Sequence, residues 1–177
     1  MIRSLLSALG LERPPATAGD AIRRIASELE RLPPDQARYV AAFAYVLSRV
    51  AGADHDISDA EAAQMEHLVR DRASLSADQA TLVVQIARSQ QRLLGGTDDY
   101  LVTRELAEIA THDQKLAIVD CLFAVAAADQ SVRVAETNEI SKVAQQLRVD
   151  PAEVSRLRLK YRHHLAARHG LDPSLEK

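Results

Sequence analysis

Apolar residues recur along most of the chain at intervals of three and four, which is the spacing of one face of an α-helix. The strongest examples are residues 40–51 and 118–126, where Val, Ile, Leu, Phe and Ala dominate. Prolines 33–34 and glycines 95–96 interrupt the pattern and indicate loops. The pattern predicts an all-α bundle of seven to eight helices. The predicted helices span about residues 20–31, 35–53, 59–73, 77–92, 99–110, 112–128, 134–147 and 151–168.

Four of the predicted helices begin with recognisable capping residues. In a capping box, the side-chain oxygen of a Ser or Thr accepts a hydrogen bond from the backbone amide three residues later. The Glu or Gln at that later position accepts a hydrogen bond from the backbone amide of the Ser or Thr. The three such pairs are Ser58 with Glu61, Ser76 with Gln79, and Thr111 with Gln114. Asp150 before Pro151 indicates a fourth start, because proline fits the first helical position.

The chain also contains an internal repeat. Residues 43–68 align without gaps on residues 118–143, with apolar positions matching apolar positions. The alignment predicts two copies of one helical unit, about residues 39–92 and 112–165. The predicted organisation is a tail and charged helix over 1–32, one helical domain over 33–168 and a tail over 169–177.

Two acidic pairs recur within the repeat. Asp54 matches Asp129, Glu61 matches Glu136, and each Asp precedes its Glu by seven residues. A helix–loop–helix turn brings such an Asp close to its Glu, and two copies packed together would bring four carboxylates together. Because a hard divalent cation prefers oxygen ligands and relieves the repulsion between carboxylates, these four residues are candidate metal ligands.

The same acids have a purely structural interpretation. An Asp after a helix commonly accepts from loop amides, and Glu61 completes a capping box with Ser58. In the second copy Arg133 stands where Ser58 stands in the first, and Arg cannot accept a capping bond. Glu136 is nevertheless present at the matching place. Acids are favoured in any first helical turn, so both interpretations remain open.

An EF-hand was considered because residues 54–58 resemble the start of its calcium loop. That loop needs Gly at its sixth position and a bidentate Glu at its twelfth. Here these positions hold Asp59 and Met65, so the EF-hand interpretation fails. His55 and Asp56 remain candidate additional ligands, with a solvated loop as the simpler interpretation of His55.

Composition and charge narrow the possible functions. The net charge is −3 and the pI is near 6.1, which argues against a nucleic-acid-binding protein. The one cysteine, Cys121, excludes an intramolecular disulfide and lies on an apolar stretch, which predicts a buried thiol. No stretch approaches the length of a membrane span. Residues 1–19 are expected to form a short helix or tail, with a secretion signal as the minority interpretation.

The end of the chain, RLRLKYRHHLAARHG over residues 156–170, is basic. Positive charge near a helix C-terminus is favourable by itself. The functional alternative is a surface for an anionic partner, from an acidic protein to a phospholipid. No enzymatic motif is present, since the chain has no phosphate-binding glycine loop and no metalloprotease or nucleophile signature.

The repeated residues Ala53-Asp54, Ile57 and Glu61, and their counterparts in the second copy, resemble the acidic turns of the tellurite-resistance TerB family. The similarity extends over about residues 36–165 and includes the TerB-like domain of DjlA-type co-chaperones. The resemblance implies an all-α fold with pseudo-twofold symmetry, a divalent-metal site formed by the four acids and no enzymatic activity. It also implies links to tellurite and stress resistance and to membrane-associated complexes.

This chain departs from the family in one place: His55 and Gln130 stand where the family usually has Gly after each Asp. The leading hypothesis is a non-enzymatic cytoplasmic protein, either free or peripheral at the inner membrane face, that binds a divalent cation (Ca²⁺ or another) and a protein partner. The alternative is a metal-free scaffold or co-chaperone-type module whose acids act as caps. A metal-dependent hydrolase is a distant third hypothesis.

Overall fold

Eight α-helices follow one another in the computed structural model, which describes residues 20–51, 57–91, 99–128 and 134–162. They are α1 (Asp20–Arg31), α2 (Pro34–Val50), α3 (Asp59–Ala73), α4 (Ala77–Gln91), α5 (Asp99–Ile109), α6 (His112–Ala128), α7 (Val134–Gln146) and α8 (Pro151–Lys160). The described ranges contain no strand. The predicted all-α class is therefore confirmed, and the helix ends agree with the prediction to within a few residues. The part of the last predicted helix beyond residue 162 lies outside the described residues.

The helix starts are held by the predicted caps. The Glu61 amide donates to Ser58 Oγ at 3.3 Å, and the Ser58 amide donates to Glu61 Oε2 at 2.7 Å. The same reciprocal pair forms at Ser76–Gln79 and at Thr111–Gln114. At α8, Asp150 Oδ1 accepts from the Ala152 amide at 2.7 Å. These bonds satisfy backbone donors that no helical carbonyl can reach, and so they fix where the helices begin.

Two helices form the centre of the molecule. Every residue from 39 to 47 in α2 and from 118 to 127 in α6 is buried. A helix that is apolar on all sides must be covered on all sides. The alanines in both stretches are small enough to let neighbouring helices approach closely. α2 and α6 contact each other, and the other helices pack around them.

The two repeats pack crosswise rather than side by side. Within the first half, α4 packs against α1, α2 and α3, and within the second half α8 packs against α6 and α7. However, α3 also packs against α6, and α7 also packs against α2. Each half therefore covers the central helix of the other, so both halves share one core.

Two arginines of α2 join the halves through ion pairs. Arg38 donates from Nε and Nη2 to Glu105 Oε1 of α5, at 2.9 and 2.7 Å. Arg49 donates from Nε to Glu139 Oε1 of α7 at 2.8 Å, and from Nη1 to the buried Thr103 hydroxyl at 2.9 Å. Planar guanidinium groups suit such two-point contacts with carboxylates. These bonds fix α2 against α5 and α7.

The charged helix α1 belongs to the same core. Ile25 and Leu29 are buried, and α1 packs against α2 and α4. Residues 1–19 and 163–177, which the sequence interpretation assigned in part to tails, lie outside the described residues. Within the described ranges, no helix has both the length and the apolar character that crossing a bilayer requires.

Candidate functional site

The candidate metal ligands belong to the segments between α2 and α3 and between α6 and α7, and to the first turns of α3 and α7. Four of them, Asp54, His55, Asp56 and Asp129, lie outside the described residues. The other two acids are described. Their geometry can be compared directly between the two copies.

Glu61 and Glu136 occupy equivalent places in the two copies. Each is the third residue of its helix, α3 for Glu61 and α7 for Glu136. Glu61 is exposed and Glu136 is partly buried. The Oε2 atom of Glu61 accepts the Ser58 amide at 2.7 Å, as the capping interpretation predicts. The alignment of the repeats therefore corresponds to a real equivalence of position at the start of α3 and α7.

The chemistry of these residues fits a hard divalent cation, because all four acids of the repeat supply carboxylate oxygens. Among the described residues, no three His, Cys, Asp or Glu side chains converge as a metal-binding group. In that part of the chain, Glu61 instead supports the helix start.

Charge at the start of α3 is partly balanced from α4. Asp59 Oδ1 lies 3.0 Å from Arg88 Nη1, and the Asp59 side chain is 96% exposed. Further along the same pair of helices, the Thr81 hydroxyl donates to Glu66 Oε2 at 3.1 Å. These contacts pair the beginning of α3 with the end of α4, so the two helices run antiparallel.

A buried ionic cluster that the sequence interpretation missed lies on α6. Asp120 is 8% exposed, and its carboxylate accepts from three side chains. Arg72 Nη1 of α3 reaches Oδ2 at 3.2 Å, and both Lys160 Nζ and the Tyr161 hydroxyl reach Oδ1 at 3.1 Å. Asp120 thus ties α6 to α3 and to the end of α8. The available signal was one charged residue in the otherwise apolar run 116–128.

The Cys121 thiol and the Tyr161 hydroxyl next to this carboxylate are kept in their protonated forms. Burial, and then the charge of Asp120, raises the pKa of the Cys121 thiol to about 12. The same two causes raise the pKa of Tyr161. Cys121 is fully buried, which confirms the predicted core thiol. Because the thiolate is the reactive form, Cys121 is not an activated nucleophile at neutral pH.

Comparison with known proteins gives the family. A family model described as "Tellurite resistance protein TerB" matches residues 39–159, which include α3 to α7 and both turns. The chain therefore belongs to the TerB family. Searches of curated proteins and of solved structures found no significant match.

Proposed function

We propose that this protein is a non-enzymatic binding module of the tellurite-resistance type. In this proposal the turns before α3 and α7 hold one divalent cation between them, and the helical frame presents a surface to a protein partner. One observation carries the proposal: Glu61 and Glu136 occupy the same third position of α3 and α7 in the two copies.

Capping alone accounts for the first copy but not for the second. Glu61 forms a full capping box with Ser58. The residue that corresponds to Ser58 in the second copy is Arg133, whose side chain carries only donors. A reciprocal box of that type is therefore impossible before Glu136. Besides the general preference for acids in a first helical turn, cation binding supplies a role common to both glutamates.

Cation binding also accounts for the acids that precede each glutamate. Asp54 and Asp129 stand seven residues before Glu61 and Glu136. Two carboxylates about 5 Å apart repel by about 3 kcal/mol at an effective dielectric constant of 20. A cation with oxygen ligands removes this cost. The rigid α2–α6 pair would hold the two turns in place. We expect the module to work in the cytoplasm, including at membrane-associated complexes.

Thermal unfolding with and without metal tests the cation. A cation that binds only the folded protein adds about 2.7 kcal/mol of stability at one hundred times its dissociation constant. We expect the melting temperature to rise when Ca²⁺, Mg²⁺, Mn²⁺ or Zn²⁺ replaces EDTA, and we expect Asp54→Asn/Asp129→Asn to lose this rise. The matched control is Asp78→Asn/Asp113→Asn, which neutralises two acids in the first turns of α4 and α6. No rise for the wild type at millimolar metal contradicts the cation site.

The second candidate is a metal-free scaffold or co-chaperone-type module, and the Ser58–Glu61 box favours it. Glu61→Gln separates the two candidates, because Gln preserves the capping bond and removes the charge. Glu61→Ala removes both, at a cost of about 1 kcal/mol, the typical value for a lost cap. If the cation binds here, Glu61→Gln melts normally in EDTA and loses the metal response. If the acids only cap, Glu61→Gln behaves as wild type under every condition.

The absence of enzymatic activity is part of the proposal and has its own test. We expect no turnover of phosphatase and esterase substrates by the purified protein with each of the four metals added. Hydrolysis that disappears in Glu136→Gln would instead indicate a metal-dependent hydrolase, because a bound metal can activate water. A contaminating activity would persist in that variant.

A further inference from the structure

The last described helix packs against the protein along one face. The partly buried side chains of α8 include Val154 and Leu157, and no residue of α8 itself is fully buried. Just after its end, the Tyr161 ring stacks on Phe123 with centroids 6.1 Å apart and an angle of 19° between the rings. Lys160 and Tyr161 both donate to the buried Asp120. These contacts fix which face of α8 points inward.

The opposite face of α8 is exposed, basic and interrupted by one large apolar side chain. Ser155, Arg158 and Leu159 follow at helical positions i, i+3 and i+4 of α8, and Arg162 comes two residues after its end; all four are exposed. Leu159 is 60% exposed and is the one exposed large hydrophobic residue among the described residues. Arg156, which lies beside Leu159 at i−3, is also exposed. We call Ser155, Arg156, Arg158, Leu159 and Arg162 the α8 patch.

The charge of this surface is opposite to that of the rest of the molecule. Residues 151–162 contain four Lys or Arg and one Glu, whereas the whole chain has a net charge of −3. Glu153 Oε1 lies 3.2 Å from His112 Nε2 of α6 and 3.7 Å from Arg156 Nη2, so it partly balances the charge of Arg156. Arg158 makes no ion pair within the described ranges. The patch is therefore a local positive surface on an acidic protein.

We propose that the α8 patch is the docking surface for an acidic segment of a protein partner. An apolar side chain of the partner packs on Leu159, and the partner's carboxylates accept paired hydrogen bonds from the neighbouring guanidinium groups. This inference specifies the partner surface of the proposed binding module. It does not depend on the cation.

The shape of the patch favours a protein segment over a lipid surface. A helix that lies on a membrane inserts a broad apolar face, and α8 exposes a single large apolar residue. By contrast, one apolar contact surrounded by charged pairs is the usual arrangement of a small protein interface. The ten residues of α8 offer about 15 Å of surface, which suits a partner segment of similar length.

The probe is a fluorescein-labelled peptide of the length of α8, with one Leu flanked by Glu one helical turn away on each side. In one matched peptide every Glu is replaced by Gln, and in the other the Leu is replaced by Ser. We expect fluorescence anisotropy to detect the acidic peptide on the wild-type protein, and ¹⁵N NMR shifts to fall on α8. Binding should weaken by about tenfold or more for both matched peptides, and likewise for the protein variants Arg158→Glu/Arg162→Glu and Leu159→Ser.

The matched control for charge is Arg24→Glu/Arg104→Glu, which reverses two exposed arginines on α1 and α5 and should bind as wild type. Melting temperatures show whether each variant is folded. Equal binding by the control and the α8 variant, or NMR shifts away from α8, overturns the proposal. The proposal is also overturned if the protein sediments with phosphatidylglycerol vesicles but does not bind the peptide, because this result indicates a lipid surface. A mass increase in light scattering that Leu159→Ser abolishes overturns it as well, because this result indicates that a second copy of the chain binds the patch. Because the peptide assay runs in EDTA, its result is independent of the cation test.

Discussion

A carboxylate inside an apolar helix needs compensating donors, and Asp120 has three of them. Asp120→Asn preserves the size of the side chain but removes the charge that Arg72 and Lys160 contact. Hydrogen bonds to charged groups contribute about 1.5–3 kcal/mol each, but both cations are near half exposed and water screens them. We expect the free energy of unfolding to fall by about 2 kcal/mol, measured by urea denaturation.

The control for this variant is Asp113→Asn, in the exposed first turn of the same helix. Asp113→Asn removes the same charge at a position with no buried partner. It should lower the free energy of unfolding by less than about 1 kcal/mol, because only the favourable interaction of the acid with the helix dipole is lost. Equal losses for the two variants would show that the Asp120 cluster contributes no more than an ordinary surface charge.

The buried thiol next to this carboxylate leads to a second prediction. Because burial and the charge of Asp120 raise the pKa of Cys121 to about 12, almost no thiolate forms at pH 8. We expect Ellman's reagent to label Cys121 only as fast as the protein unfolds, with the rate rising in urea along the unfolding curve. An ordinary cysteine thiol has a pKa of 9. Because the pKa of Cys121 is raised, this thiol contributes to the stability of the folded state below pH 9, and its contribution to stability declines as the pH rises toward 12. Fast labelling of the native protein at pH 8 would contradict this environment.

At the scale of the helix, the end of α7 stores backbone strain. Arg148 has a φ of 60°, the Arg148 amide donates to the Gln145 carbonyl, and the Val149 amide donates to the Ala144 carbonyl. This is a Schellman C-cap, in which glycine is the usual residue at the left-handed position. A non-glycine residue costs about 1–2 kcal/mol there.

We therefore expect Arg148→Gly to raise the free energy of unfolding by about 0.5–1 kcal/mol, after allowing for the greater freedom of glycine in the unfolded chain. Arg148→Ala is the matched control, because it removes the same side chain and keeps the strained backbone. Urea denaturation of both variants gives the comparison. A gain in Arg148→Ala as large as in Arg148→Gly would assign the effect to the side chain.

The helices also show which features a sequence can reveal. Starts such as Ser58–Glu61 and Thr111–Gln114 were predictable because the residues that form each cap are three apart in the chain. The C-cap at Arg148 was not, since arginine is not a residue that indicates a left-handed position. The partners of Asp120 were also not predictable, because they come from helices 40 and more residues away. For the candidate site, the sequence predicted the equivalent positions of Glu61 and Glu136. Whether the four carboxylates converge depends on how the two copies pack together, which sequence spacing does not determine.

At the scale of the molecule, the crosswise arrangement predicts that neither half folds alone. α3 covers α6, α7 covers α2, and Arg49 of the first half is held by Glu139 of the second. Separating the halves exposes the buried stretches 39–47 of α2 and 118–127 of α6, and a chain that cannot bury its apolar surface does not offset the entropy of folding.

We expect fragments 1–92 and 93–177 each to show little helicity and no cooperative melting by circular dichroism. An equimolar mixture should regain helicity, and the intact chain should unfold in one transition that is the same by circular dichroism and by tyrosine fluorescence. The control is the same mixture with Val40→Asp in fragment 1–92, since Val40 is fully buried in α2 and an unpaired charge there should prevent reassembly. Cooperative melting of either fragment by itself would show that the repeats are independent folding units, joined rather than interlocked.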